Sequence, residues 1–256
     1  MCNGCKSPGT PDLKLTKAMC AMDADERKFM DRKPYLSIIG SLMYLMLGSR
    51  PDLSYLENPG ILHWRATKQC LRYLRETIDY GLRLGGLKWT GLKPNSHLQA
   101  YPDADFANST EDRKSVAGYI TKFCGSPISW SSQTEKTVAL HTTEAEYMAL
   151  SLLVQEVIHL RQMLKELKVK QKETTEVYVD NESTKKLATN LVFHDRSKHI
   201  DVRHHFIDVH RFPGVDNVAD AFTKPFSRGL FEKHRASMGL MSREIFEAPQ
   251  RNEGNQ

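Results

Sequence analysis

The 256-residue chain has no apolar run long enough to cross a bilayer. The longest, "SIIGSLMYLMLG" from Ser37 to Gly48, falls far short of the roughly 20 residues that a spanning helix needs. It also follows the charged "DADERKFMDRK", unlike the apolar core of a signal peptide. No membrane partner is therefore expected, and the expected location is intracellular, cytoplasmic or nuclear. Cysteine is scarce and odd in number: five residues, scattered from Cys2 to Cys124. That speaks against a disulfide framework and for reduced thiols. "CNGC" at Cys2–Cys5 has CxxC spacing, but no second pair follows to complete four zinc ligands. Neither sign of charge dominates, with Lys+Arg 36 against Asp+Glu 31, a net charge of +5 and a pI near 8.9. A mild basic excess is compatible with a polyanionic partner without singling one out. No internal repeat is visible.

What is present divides into four stretches. Residues 1–33 are turn-rich and then densely charged, and are expected to be poorly ordered. Residues 34–85 read as a small N-terminal helical annex. Pro34 suits the first turn of a buried helix through Leu47. "SRPDLSYLENPG" breaks that helix, and "HWRATKQCLRYLRETIDYGL" follows as an amphipathic one. Its apolar residues Trp64, Ala66, Cys70, Leu71, Leu74 and Ile78 recur at helical spacing. Arg65, Lys68, Arg72 and Arg75 lie elsewhere on the wheel, forming either a solvated face or one that tracks phosphates. Residues 95–240 are expected to form an α/β domain, and 241–256 a polar tail.

Inside 95–240 the apolar period changes to two. "HLQAYPDADF", "SVAGYITKF" and "SPISWSS" read as three short strands joined as antiparallel hairpins. "HTTEAEYMALSLLVQEVIHLRQMLKEL" reads as a long helix, with Thr142 or Thr143 as N-cap and Thr143 with Glu146 at capping-box spacing. Its expected buried stripe is Ala145, Met148, Ala149, Leu152, Leu160, Met163, Leu164 and Leu167. "TEVYVD" reads as a buried strand ending in an acid. "NESTKKLATN" and "RSKHIDVRHHFIDV" read as helices, and "NVADAFTKPF" as the opening of a last one.

Four acids fall at strand ends and helix starts: Asp103, Glu146, Asp180 and Asp220. An α/β fold can gather such residues at one edge of a sheet. Mg²⁺ is a hard ion that takes oxygen ligands. Two such ions held by shared carboxylates can activate a water against a phosphodiester. Any one of these acids alone reads more readily as a cap or turn residue, and only the set and its order point to a metal site.

At these residues the chain resembles a known family. "YPDADFANSTEDRKSVAGYI", "ISWSSQTEKTVALHTTEAEYMALS", "VYVDNESTKKLATN", "FHDRSKHIDVRHHFI" and "NVADAFTKPF" resemble the RNase H region of copia-type retrotransposon Pol polyproteins. "PYLSIIGSLMYLM", "RPDLSY" and "HWRATKQCLRYLRETIDYGL" resemble the connection that precedes it. The resemblance implies an RNase H-like α/β fold, a five-stranded mixed sheet with helices on both faces. It implies a catalytic and metal-ligating set of Asp103, Glu146, Asp180 and Asp220, holding two Mg²⁺ or Mn²⁺ ions, with Asp103 bridging both. By the same matching Asp105, Glu144 and Glu182 are neighbours rather than ligands. The implied substrate is the RNA strand of an RNA/DNA hybrid, and the implied partners are a reverse transcriptase or other element-encoded subunits.

Asn108, Ser109, Thr143 and Asn181 are polar neighbours suited to reading a 2′-hydroxyl. Lys185, Lys186, Arg196, Lys198 and Arg203 are suited to phosphates. Plain surface solvation is the alternative for each. Five of the ten histidines fall between His194 and His210. Nothing completes a zinc tetrahedron around His199, His204 and His205, which favours structural or substrate-facing roles. His210, shortly before Asp220, is a candidate for product release. Two stretches depart from the family. Roughly ten residues are missing before "NVAD", which removes much of the expected fifth strand unless "FIDVHRF" takes its place. A helical stretch is also shortened at "RPDLSYLENPG". The alternative to an enzyme is a catalytically dead nucleic-acid-binding remnant or a non-functional fragment of an element.

Overall fold

The computed structural model describes residues 4–9, 24–53, 61–85, 97–109, 112–189 and 206–247. A five-stranded mixed sheet lies at its centre. It is built from β2 (Leu98–Asp105), β3 (Val116–Phe123), β4 (Ser126–Thr134), β5 (Thr175–Val179) and β6 (Ile207–Arg211), in the order β4-β3-β2-β5-β6. β3 pairs antiparallel with both β2 and β4, while β5 pairs parallel with β2 and β6 parallel with β5. Cys124 and Gly125, both at positive φ, form the two-residue turn between β3 and β4. Two such residues match the right-handed twist of a hairpin. "FIDVHRF" does supply the fifth strand, with Val177 opposite Val209. Residues 207–209 are therefore strand, where the sequence pattern suggested the end of a helix. The rest of that expected helix lies outside the described residues.

Helix α4 (Thr142–Glu166) covers one face of the sheet. Leu150, Leu153, Val154 and Val157 pack on Ala100, Val177, Val179, Ile207 and Val209. Met163 and Leu167, expected in the buried stripe, are 40% and 65% exposed, because the stripe turns toward Leu150, Leu153 and Val157 instead. At its N-terminal end the fully buried contact is made by alanines, Ala145 and Ala149 against Ala104, Ala117 and Ala139, with Phe106, Met148 and Leu152 packed beside them. Such small side chains bring that end of the helix close to the sheet. The cap is His141, whose ring nitrogen accepts from the Glu144 N–H at 3.3 Å, rather than Thr142 or Thr143. Glu144 reaches back to accept from the Leu140 N–H at 2.7 Å. The reciprocal capping thus uses Glu144 and leaves Glu146 free. Helix α5 (Glu182–Thr189) follows β5 directly.

The opposite face carries the C-terminal segment. Two 3₁₀ turns, Gly214–Asp216 and Val218–Phe222, stand where a helix opening at "NVAD" was expected. Val218, Ala219, Ala221, Phe222 and Met238 pack on Ile120. Helix α6 (Arg228–Ser237) follows. Residues 240–247, within or beside the expected polar tail, form β7 (Leu240–Ser242) and a short helix α7 (Arg243–Glu247).

Helix α1 (Ala24–Asp31) precedes the annex, which comprises α2 (Tyr35–Gly48), a 3₁₀ turn at Pro51–Leu53, α3 (Ile61–Glu76) and β1 (Tyr80–Leu82). Helix α1 lies within the charge run that read as poorly ordered. Leu42, Leu53, Cys70 and Tyr73 form a core with Phe231 of α6. The buried stripe of α3 is His63, Thr67, Cys70 and Tyr73, while Leu71 is 39% exposed. Helix α2 is not the buried helix its composition suggests: only Tyr35 and Leu42 are buried, and Leu36 and Tyr44 are almost fully exposed. A helix apolar on every side gives no face for sequence to read.

Candidate metal centre

Four carboxylates approach one end of the sheet from four elements. Asp103 lies on the central strand β2 and is fully buried. Glu146 stands in the second turn of α4, brought in by the alanine contact described above. Asp180 follows the last residue of β5. Each of these three offers an oxygen within 4.8 Å of those of the other two.

Asp220 comes from the 3₁₀ turn Val218–Phe222, which is fastened at three points. Asn217, fully buried, donates from Nδ2 to the Pro102 carbonyl at 2.9 Å and accepts from the Ala219 N–H at 3.1 Å. The Ser132 hydroxyl donates to the Phe222 carbonyl at 2.5 Å. Gly118, opposite Asp103 on β3, lets the turn approach, since a Cβ there would meet the Phe222 Cβ at 2.6 Å. Gly214 makes similar room beside Asp180, where a Cβ would lie 3.1 Å from Oδ2. The shortened stretch before Asp220 thus still delivers it to the site.

Lys224 joins the two halves. Its Nζ lies 3.2 Å from Asp220 Oδ2 and 3.6 Å from Asp103 Oδ2. The Thr223 hydroxyl donates to the same Asp103 oxygen. Burial pushes the Glu146 carboxyl up to about 9, with Asp103 and Asp180 adding to the rise and Lys224 opposing it. Burial and the Asp103 charge push Asp220 up to about 8, again against Lys224. Asp180 is raised by burial and by Asp103. The Lys224 ammonium overcomes its own desolvation and is raised by Asp103 and Asp220. One ammonium cannot neutralise four crowded carboxylates, so the site is short of positive charge. Asp103 Oδ1 and Asp220 Oδ1 are buried without a hydrogen-bond partner. An all-oxygen donor set with orphaned buried oxygens is compatible with a divalent cation.

The other residues singled out by sequence scatter. Asn108 donates to Asp105. Ser109 accepts from the Asp112 N–H at 3.3 Å. The Thr143 carbonyl accepts from Thr184 at 3.5 Å. The Asn181 side chain caps α5, accepting from Ser183 and Thr184 N–H at 2.8 and 3.1 Å. Lys185 is half-buried and Lys186 exposed on α5. His210 lies on β6, 3.3 Å from Asp208 and against the Tyr178 ring at 5.7 Å between centroids. Glu182 faces Arg211 at 3.8 Å. Arg196, Lys198, Arg203, His194, His199, His204 and His205 lie outside the described residues. Sequence reasoning passed over Lys224, Thr223, Asn217 and Gly118. Only Lys224 left a local trace, standing four residues after Asp220 in a helical register.

No protein-family model matches the chain. It is 41% identical over 253 residues to the retrovirus-related Pol polyprotein from transposon TNT 1-94 of Nicotiana tabacum, covering 92% of this chain and 18% of that polyprotein. It is 38% identical over 232 residues to the Pol polyprotein from transposon RE2 of Arabidopsis thaliana, covering 84% and 15%. The chain therefore spans less than a fifth of the length of these curated relatives. Among solved structures, LC11-RNase H1 in complex with an RNA/DNA hybrid is similar at a TM-score of 0.38 and 17% identity, over 49% of this chain and 93% of that one. Similarity along most of its length places the chain in the family of the copia-type Pol polyproteins of transposons.

Proposed function

We propose that this domain is a ribonuclease H-type endonuclease that hydrolyses the RNA strand of an RNA/DNA hybrid. The convergence of Asp103, Glu146 and Asp180 within 4.8 Å supports this reading most directly. Asp103 belongs both to that trio and to the pair with Asp220, which suits it to bridge two ion positions. Two Mg²⁺ or Mn²⁺ ions held there would activate a water for attack and offset charge on the departing oxygen. Glu146 and Asp180 would help Asp103 hold one ion, and Asp220 would help it hold the other. The Thr223 hydroxyl and the buried Asn217 hold Asp103 and Asp220 in place. Asn108, Thr143 and Asn181 read the 2′-hydroxyl that marks RNA, and Lys185, Arg196, Lys198 and Arg203 meet phosphates. His210 assists release of product. Cleavage leaves a 5′-phosphate and a 3′-hydroxyl.

Purified chain given a labelled RNA/DNA hybrid with Mg²⁺ or Mn²⁺, beside Asp103→Asn, tests this. Cleavage of the RNA strand that disappears in the variant is expected. Hybrid binding without cleavage by either protein would instead establish a nucleic-acid-binding remnant. That second reading draws on Lys224, which already neutralises part of the acid cluster without a metal.

The exposed apolar face of α2, with Leu36 78% and Tyr44 79% exposed, is suited to contact reverse transcriptase or other element-encoded segments. Among the described residues no helix is long and apolar enough to cross a membrane. An intracellular location agrees with the free thiols of Cys5, Cys70 and Cys124.

A further inference from the structure

We propose that Lys224 is a resident counterion: its ammonium holds the cation position between Asp103 and Asp220 until a divalent ion displaces it. This deepens the metal-dependent reading above and rests on it.

The two cation positions of the site are not equivalent. Beside Asp103, Glu146 and Asp180, three carboxylates lie within 4.8 Å and Asp103 Oδ1 has no hydrogen-bond partner. Between Asp103 and Asp220 an ammonium is already in place, 3.6 and 3.2 Å from their Oδ2 atoms. A divalent ion cannot share that space with it, and like charges repel. The backbone around Lys224 is fixed: its N–H donates to the Asp220 carbonyl at 3.1 Å, and Thr223 beside it is fully buried. Its side chain is 36% exposed, so the flexible stem has a way out to water while the backbone stays. The first ion thus enters beside Glu146 and Asp180, and the second enters only by evicting Lys224. Asp103, common to both positions, ties the two events together.

The test needs no nucleic acid and no turnover. Mn²⁺ is titrated into the full chain and followed by electron paramagnetic resonance, for wild type, Lys224→Met, Lys224→Arg and Asp103→Asn. Two classes of ion are expected in wild type. The weaker should tighten about fivefold or more in Lys224→Met and stay weak in Lys224→Arg. A second measurement uses wild type alone, in case the Met variant does not fold. Acetylation of Lys224 by an amine-reactive ester, read by mass spectrometry, should rise several-fold on Mn²⁺ saturation as the ammonium is released. Unchanged or weaker Mn²⁺ affinities in Lys224→Met, or unchanged Lys224 acetylation, would overturn the inference. If wild type still binds Mn²⁺ and Asp103→Asn does not, the metal reading survives that failure. Absence of Mn²⁺ binding by wild type would overturn both.

Discussion

Glu135 is a buried acid that the catalytic reading does not use. It follows β4, is 4% exposed, and its N–H donates to the Ser115 carbonyl at 2.8 Å. Burial raises its carboxyl to about 7, with the Ser115 hydroxyl pulling the other way and Glu144 adding to the rise. The folded state therefore binds a proton that the unfolded chain has already released. This stabilisation is full below the ordinary glutamate value and is lost as pH rises through about 7. Glu135→Gln should remove that slope and leave the variant more stable than wild type at pH 8, by on the order of 2 kcal/mol. Urea melts at pH 5 and pH 8 would check it, and parallel losses in both proteins would exclude Glu135 as the source. The same scale shows what sequence reading reaches. Asp103, Glu146, Asp180 and Asp220 stand out in the sequence because each sits in its own short motif, and the structure brings oxygens of the first three within 4.8 Å. Lys224 and Thr223 do not stand out, because their chemistry depends on an aspartate some 120 residues away.

At the scale of elements, the 3₁₀ turn Val218–Phe222 decides whether Asp220 is part of the site. Its position depends on a glycine in a different strand. Gly118→Ala would drive a methyl to 2.6 Å from the Phe222 Cβ and 2.9 Å from the Thr223 Cγ2. Neither neighbour is the far end of a flexible chain, so the turn itself must shift. Overpacking of this kind costs about 1–3 kcal/mol. Because Asp220 and Lys224 ride on that turn, Mn²⁺ affinity should fall along with stability. Asn217→Ala should act on the same turn from the other side, costing about 1–3 kcal/mol by leaving the buried Ala219 N–H and Pro102 carbonyl without their partner. A Gly118→Ala protein with wild-type Mn²⁺ affinity would show that the turn does not set the site. Element identity was largely legible: β2, β3, β4, α4 and β5 follow from periodicity and turn residues. The ends were less so. His141 capped α4 in place of a threonine, which sequence rules do not favour. The Asp220 segment took 3₁₀ form because a sheet face and two side-chain anchors hold it, not because of its own residues.

Across the whole molecule, the annex packs against helix α6 of the α/β domain and is tied to strands β4 and β7. Phe231 of α6 is 6% exposed and packs edge-on against Tyr73 of α3, with ring centroids 5.6 Å apart. Trp130 of β4 donates from its indole to the Met46 carbonyl of α2 at 2.8 Å. β1 and β7 pair antiparallel, so the C-terminal strand has its partner in the annex. A chain shortened to begin at residue 86 would uncover Phe231, free the Trp130 indole and leave β7 as an unpaired edge. Losing the phenylalanine burial and one hydrogen bond amounts to about 2–4 kcal/mol. For a domain of this size that is roughly a 5–15 °C fall in Tm. The exposed edge should add a tendency to associate. Trp130→Phe in the full chain isolates one of these links and should cost about 1 kcal/mol. Calorimetry of the full and shortened chains would decide the matter: one cooperative transition in the full chain and a lower one in the shortened chain are expected. Two separate transitions in the full chain, the upper one matching the shortened chain, would mean that the annex is only an appendage and that residues 95–240 hold the metal centre unaided.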